Sequence, residues 1–208
     1  FEKFKETEDL KYIKTSELRY ALPEWMFFTL MTAAHLTIWY DTNRFCGRCK
    51  TKMEFSTKER ALFCPKCGLI KYPDIHPAII VAITDSDKIL LTRYASRPYK
   101  KWSLVAGYSE FGETLEATIK REIMEEVGLK VKNIRYFNSQ PWALSQSLLM
   151  GFFAELDGDS KISLDKTELS EAVWFKREEI QACDEVMSLT NTMIETFRKN
   201  LHEHILVK

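Results

Sequence analysis

The sequence predicts an α/β fold: a sandwich of helices on a mixed sheet, with a small cysteine-bearing segment ahead of it. Three observations carry this. β-rich runs flank two helical patterns in the later part of the chain. Four cysteines come as two CxxC pairs separated by fourteen residues. Hydrophobic residues make up 45% of 208, enough for one full core and a small appendage.

Residues 1–44 read as helical and as the remnant of a larger N-terminal region, because the chain begins at Phe1 rather than Met. The opening "FEKFKETEDLKYIK" is charged and does not resemble a signal peptide. The most apolar stretch, Trp25–Tyr40, is short for a membrane span and carries Thr29, Thr32, His35 and Thr37. Pro23 suits the start of a helix. We therefore expect a buried helix at a subunit interface rather than a membrane anchor. Basic and acidic residues balance at 30 each, so overall charge argues against nucleic acid or an acidic membrane as the main partner.

Residues 45–72 hold "CGRC" and "CPKC". Each pair sets two thiolates on one turn, and two such turns complete a tetrahedral sulfur site suited to zinc. Cys46, Cys49, Cys64 and Cys67 are the expected ligands of one structural ion. The fourteen residues between the pairs can make a hairpin but no core, so the metal holds the segment together. Four thiolates leave no open position for catalysis. Lys50, Lys52, Lys58, Arg60, Lys66 and Lys71 read first as a solvated surface and second as a nucleic-acid contact. Paired CxxC without a secretory signal favours metal over disulfides and a cytoplasmic location. The fifth cysteine, Cys183, reads as an ordinary half-buried thiol.

Residues 73–208 carry the sheet. Runs at 77–84 and 88–94 are strands joined by Asp85-Ser86-Asp87. Further strands are expected at 102–107, 134–142, 147–156 and 172–175, and a last helix at about 188–202. Between them, "GYSEFGETLEATIKREIMEEVGL" (107–129) reads as one helix entered through glycines. On a wheel of 100° per residue, Leu115, Ile119, Ile123 and Val127 span about 120° and face the core. Glu126 falls inside that arc, and Glu122 borders it. A carboxylate on the packed side costs several kcal/mol unless it is neutralised. Glu122, Glu125 and Glu126 form a hard oxygen cluster, the ligand type of Mg²⁺ or Mn²⁺. Such ions share phosphates with substrates, so the residues point to metal-assisted hydrolysis of a phosphate compound.

This stretch resembles the Nudix box, GX5EX7REUXEEXGU, at every fixed position: Gly107, Glu113, Arg121, Glu122, Ile123, Glu125, Glu126, Gly128 and Leu129. The resemblance implies a Nudix α/β/α sandwich over 73–208 and hydrolysis of a nucleoside diphosphate linked to a second group. It further implies that Glu122, Glu125 and Glu126 are catalytic and hold the ions, with the Ala106 carbonyl and Glu168 as added ligands. Arg121 and Glu113 are expected to pair and orient the loop, and Gly107 and Gly112 to permit its turns.

The cysteine ribbon, "YPDIHPAIIVAI" and "SQPWALSQS" (139–147) together resemble the NADH pyrophosphatase branch. That branch carries SQPWPFPxS; here Ala143, Leu144 and Ser145 replace Pro, Phe and Pro. The resemblance implies substrate contacts from Gln140, Pro141, Trp142, Ala143, Leu144, Ser145, Gln146 and Ser147. It also implies Tyr108 stacking on a substrate ring, Tyr72 and Glu59 contributing across a homodimer, and a backbone contact at Thr190. The implied activity splits NADH or NAD into nicotinamide mononucleotide and AMP, extending to an NAD cap on RNA. Two alternatives stay open: hydrolysis of ADP-ribose or another nucleotide sugar, and a non-enzymatic ribbon regulator that binds a nucleotide.

Overall fold

The fold is that of a computed structural model, which describes residues 7, 11–14, 17–18, 21–95, 101–182 and 188–202. The expectation for Cys183 falls outside these residues. The chain divides into two compact units: residues 1–75 with 142–147, and residues 76–141 with 148–208. The division differs from the three-part reading at two points. The helix before the ribbon belongs with the ribbon, and so does the short stretch 142–147.

In the first unit, helix α1 (Glu24–Thr42) starts directly after Pro23, where a missing N–H costs nothing. It ends at Asn43, whose side-chain amide donates to the Trp39 carbonyl at 2.8 Å. Three short strands follow: β1 (Glu54–Phe55), β2 (Leu62–Phe63) and β3 (Ile70–Lys71), paired antiparallel in that order. Trp39 packs with Cys46, Met53, Leu62 and Cys64 in a small core. Within one chain only Phe27, Met31 and Trp39 of α1 are buried. Trp25 is 67% exposed, and Leu30 and Ile38 are also open. Apolar residues ring the whole helix, while a unit this small covers a single stripe. No described helix is long and apolar enough to cross a membrane.

The second unit is a six-stranded mixed sheet with a helix on each face. Its strands are β4 (His76–Asp85), β5 (Lys88–Tyr94), β6 (Val105–Tyr108), β7 (Val131–Trp142), β8 (Ser147–Leu156) and β9 (Leu169–Lys176). The order is β7-β8-β4-β5-β9, with β6 paired to β4. Alternation along β4 sends Ile79, Val81 and Ile83 to one side, where they meet Ile119, Ile123 and Val127 of α2 (Leu115–Val127). Ile80 and Ala82 point to the other side and meet Leu189, Met193 and Phe197 of α3 (Leu189–Arg198).

The run 107–129 is not one helix. Gly107 and Tyr108 finish β6, and α2 begins only after Thr114, whose hydroxyl accepts from the Ala117 amide at 3.2 Å. Gly128 ends α2 in the left-handed region at φ 68°, and a Cβ there would meet Ser163 Cβ at 2.7 Å. β6 is shorter than the expected 102–107, because Ser103 makes only an isolated bridge to Thr92. α3 stops at Arg198, short of the expected 202.

Candidate active site and zinc centre

The Ile80–Ala106 and Ile79–Gly107 pairs fix β6 against β4. That register brings the end of β6 beside α2. Gly107 faces Glu122 so closely that a Cβ on it would lie 2.0 Å from the Glu122 carboxyl carbon. The position therefore admits glycine alone while Glu122 keeps its place.

Arg121 ties the acids together. Its Nε donates to Glu113 Oε1 at 2.6 Å and its Nη2 to Glu113 Oε2 at 2.9 Å, a two-pronged pair. Nη1 donates to Glu122 Oε1 at 2.8 Å and to Glu125 Oε2 at 3.1 Å. Nη2 also reaches the Tyr108 carbonyl at 3.0 Å. Glu113 receives two further bonds, from the Glu110 amide at 3.0 Å and the Thr118 hydroxyl at 2.8 Å. Chiefly because of Arg121, the Glu113 carboxyl is held down at about 2. Glu122 behaves oppositely: burial pushes its carboxyl up, aided by the charges of Glu125 and Glu168, against the pull of Arg121.

Glu126 is 2% exposed, on the core side of α2 where the wheel puts it. Its carbonyl accepts from the Asp165 amide at 2.9 Å, and the Val127 carbonyl accepts from the Ser163 amide at 2.9 Å. These bonds anchor the loop that carries Glu168 to the end of α2. Glu168 is then close enough for its charge to act on Glu122. Thr118, Ser163 and Asp165 were missed from the sequence. Their contacts are with partners fixed by the tertiary fold, and no spacing rule exposes them.

The acid set offers carboxylates and the Ala106 carbonyl, a donor chemistry that fits a hard divalent ion. The carboxylates are not drawn into one tight cluster. Among the described residues, only the four cysteines bring three or more ligand atoms within 4.8 Å of one another.

The remaining predicted substrate residues are dispersed. Tyr108 is half exposed at the end of β6, with the His76 ring edge-on to it at 6.2 Å between centroids. The Gln140 side-chain oxygen accepts from the Leu189 amide at 2.8 Å, which fixes the start of α3 next to Thr190. Pro141 follows on β7. Residues 143–146 form the β7–β8 turn, and they belong to the first unit together with Trp142 and Ser147. There Trp142 meets Phe28 edge-on at 6.4 Å, and the Ser145 and Ser147 hydroxyls are 2.6 Å apart. Ala143, Leu144 and Gln146 complete the turn, Gln146 with φ 56°. Also in that unit, the Tyr72 hydroxyl donates to Glu59 Oε1 at 3.0 Å, and Glu59 raises the Tyr72 pKa.

The four thiols converge. Cys46 and Cys67 Sγ are 3.6 Å apart, and Cys49 and Cys64 Sγ are 3.4 Å apart. A zinc–sulfur tetrahedron with bonds of about 2.3 Å has edges of about 3.8 Å. The Thr51 hydroxyl beside Cys49 helps pull that thiol down to about 6. Cys67 rises to about 11: the Leu69 amide lowers it, but burial and the neighbouring thiols outweigh that. Zinc displaces the remaining protons when it binds.

Comparison with known families follows the same two units. Residues 74–197 match the NUDIX domain, and the chain belongs to the Nudix family. Residues 41–72 match the NADH pyrophosphatase zinc ribbon domain, so the four thiols are a structural zinc site within that ribbon. The chain is 41% identical over 160 residues to the NAD-capped RNA hydrolase NudC of Salmonella heidelberg, covering 77% of this chain and 62% of that protein. It is 37% identical over 174 residues to NudC of Haemophilus influenzae, covering 82% and 65%. The chain thus spans less than two thirds of the length of these relatives. A solved NUDIX hydrolase from Nitrosomonas europaea superposes with TM-score 0.64 at 25% identity, over 77% of this chain and 93% of that one.

Proposed function

We propose that the chain hydrolyses the central diphosphate of NADH and NAD, giving nicotinamide mononucleotide (reduced from NADH) and AMP, and that the same cleavage of an NAD cap releases nicotinamide mononucleotide and leaves a 5′-monophosphate on the RNA. The observation that carries this is Glu126, a carboxylate buried on the packed side of α2 beside the desolvated Glu122. Such a charge is costly to the fold and useful to a cation. The ribbon match and the names of the relatives favour a dinucleotide over other Nudix substrates.

Water adds to one phosphorus, and the bond from that phosphorus to the bridging oxygen breaks. Glu122, Glu125, Glu126, Glu168 and the Ala106 carbonyl would hold Mg²⁺ or Mn²⁺. Divalent ions there make water a better nucleophile and offset charge on the departing phosphate. Arg121 keeps Glu122 and Glu125 oriented and carries its own charge beside them. Gly107 leaves the Glu122 carboxylate room. Tyr108 offers a ring to stack on a flat base. Gln140 sets the start of α3 and, through it, the Thr190 backbone.

Residues 45–72 act as the ribbon and 73–208 as the catalytic domain. The working form is a cytoplasmic homodimer in which Tyr72 and Glu59 serve the neighbouring pocket. The open apolar residues of α1 support this, since Trp25, Leu30 and Ile38 are left exposed on one chain. Light scattering under assay conditions tests it, and a monomer refutes it. The activity is tested by incubating NADH with Mg²⁺ or Mn²⁺ and identifying products by mass. Reduced nicotinamide mononucleotide plus AMP, lost on chelation, is expected. No turnover with either ion refutes the proposal and favours the regulator reading.

A further inference from the structure

We propose that the outer surface of the zinc ribbon binds single-stranded RNA and holds the chain trailing a capped 5′ end. The second half rests on the catalytic reading above; the first half stands on the ribbon itself.

Overall neutrality hides a segregation of charge. The chain has 30 basic and 30 acidic residues, yet positions 44–72 contain eight of the former and only two of the latter, Glu54 and Glu59. Two of the eight are engaged: Arg44 with Asp41 at 3.7 Å and Lys71 with Asp74 at 2.6 Å. The other six, Arg48, Lys50, Lys52, Lys58, Arg60 and Lys66, are exposed and form no ion pair among the described residues. Four thiolates on a divalent zinc leave a net charge of two minus, so positions 44–72 stay net positive. Free cations on a rigid frame are a backbone-binding surface for a polyanion.

Aromatic rings lie among these charges. Phe45 is 61% exposed and pairs across a bridge with Lys52. Phe55 is 69% exposed and meets Tyr40 edge-on, at 5.4 Å between centroids. Open rings between cations suit stacking on unpaired bases. The exposed face of α1 is different, because Glu24–Thr42 contains no lysine or arginine at all. That helix joins exposed apolar residues to two acids, Glu24 and Asp41, whereas the ribbon combines rings with cations. No amphipathic helix is present in the ribbon to lie on a membrane.

The test uses the full chain with zinc bound and a labelled, uncapped single-stranded oligoribonucleotide of about 12 nucleotides, within the usual site size. Anisotropy should show binding that weakens steeply with salt. Replacing Arg48, Lys52 and Lys66 together by Ala should flatten the log–log salt slope by about 0.7 for each phosphate that is no longer neutralised. Phe45→Ala and Phe55→Ala should each weaken binding about fivefold or more with the slope unchanged. All variants should keep zinc content, melting temperature and kcat/KM for NADH, while KM for NAD-capped RNA rises. Absence of RNA binding, variants that bind like the parent, or equal affinity for duplex RNA overturns the ribbon site. So does binding of anionic phosphatidylserine vesicles in its place. An unchanged KM for capped RNA overturns the trailing-chain half. If the parent fails to hydrolyse NADH, the catalytic reading falls, and anisotropy still decides the ribbon.

Discussion

Gly107→Ala is the sharpest probe of the site's geometry. The added Cβ would sit 2.0 Å from the Glu122 carboxyl carbon and 2.1 Å from its Oε1. Ordinary carbon contacts need about 3.5–4 Å, so the carboxylate must retreat by about 1.5 Å or more. The obstacle is the end of a flexible side chain, and Gly107 is not among the residues with positive φ. The backbone therefore tolerates alanine, and the cost to the fold stays at about 1–3 kcal/mol. The cost to catalysis is larger, since a displacement of about 1 Å at a reacting site can cost about 100-fold. We expect kcat/KM for NADH to fall by at least that factor, about 2.7 kcal/mol of barrier. The assay is steady-state hydrolysis with saturating Mn²⁺, alongside a thermal melt of each protein. A folded variant within tenfold of the parent refutes the claim that Glu122 must stay where Gly107 lets it sit.

Other outcomes follow from the same geometry. Glu126→Gln should abolish turnover by far more than tenfold, while its metal-free melting temperature stays equal or rises, because a buried charge is removed; activity within tenfold of the parent contradicts its role. Glu113 is depressed from 4.5 to about 2, so its charged form stabilises the fold above about pH 4.5, and that contribution is lost as pH falls through about 2. The melting difference between parent and Glu113→Gln should therefore shrink across that window; a difference independent of pH contradicts the pairing with Arg121. Metal analysis should find one zinc per chain, and Cys46→Ser should lower it; unchanged zinc in the variant excludes that thiol as a ligand.

Much of the catalytic unit was legible because its signals are periodic. The Leu115, Ile119, Ile123, Val127 stripe follows the helical repeat, and it correctly placed Glu126 among buried residues. β5 and β8 have the bounds their apolar runs suggest. Other features depend on partners distant in sequence. The Gly107–Glu122 contact requires β6 to be zipped to β4 first. Gln140 read as part of a specificity wall, yet its side chain also bonds the amide of Leu189, 49 positions later. Apolar composition marked α1 as a helix to be covered, but it does not show what covers Trp25, Leu30 and Ile38. The charge of the ribbon was visible residue by residue, but only the ion-pair geometry distinguishes its free cations from its paired ones.

The most direct test of the account compares specificity constants for NADH and ADP-ribose in the parent and in Tyr108→Ala, at one fixed Mn²⁺ concentration. ADP-ribose lacks the nicotinamide ring that Tyr108 would stack, and one good aromatic contact is worth about 0.5–1.5 kcal/mol, about two- to tenfold. The account predicts that the parent prefers NADH by a factor of that order and that the variant loses the preference by slowing NADH alone. A parent that prefers ADP-ribose, or a variant that slows both substrates equally, contradicts it and makes the chain a nucleotide-sugar hydrolase.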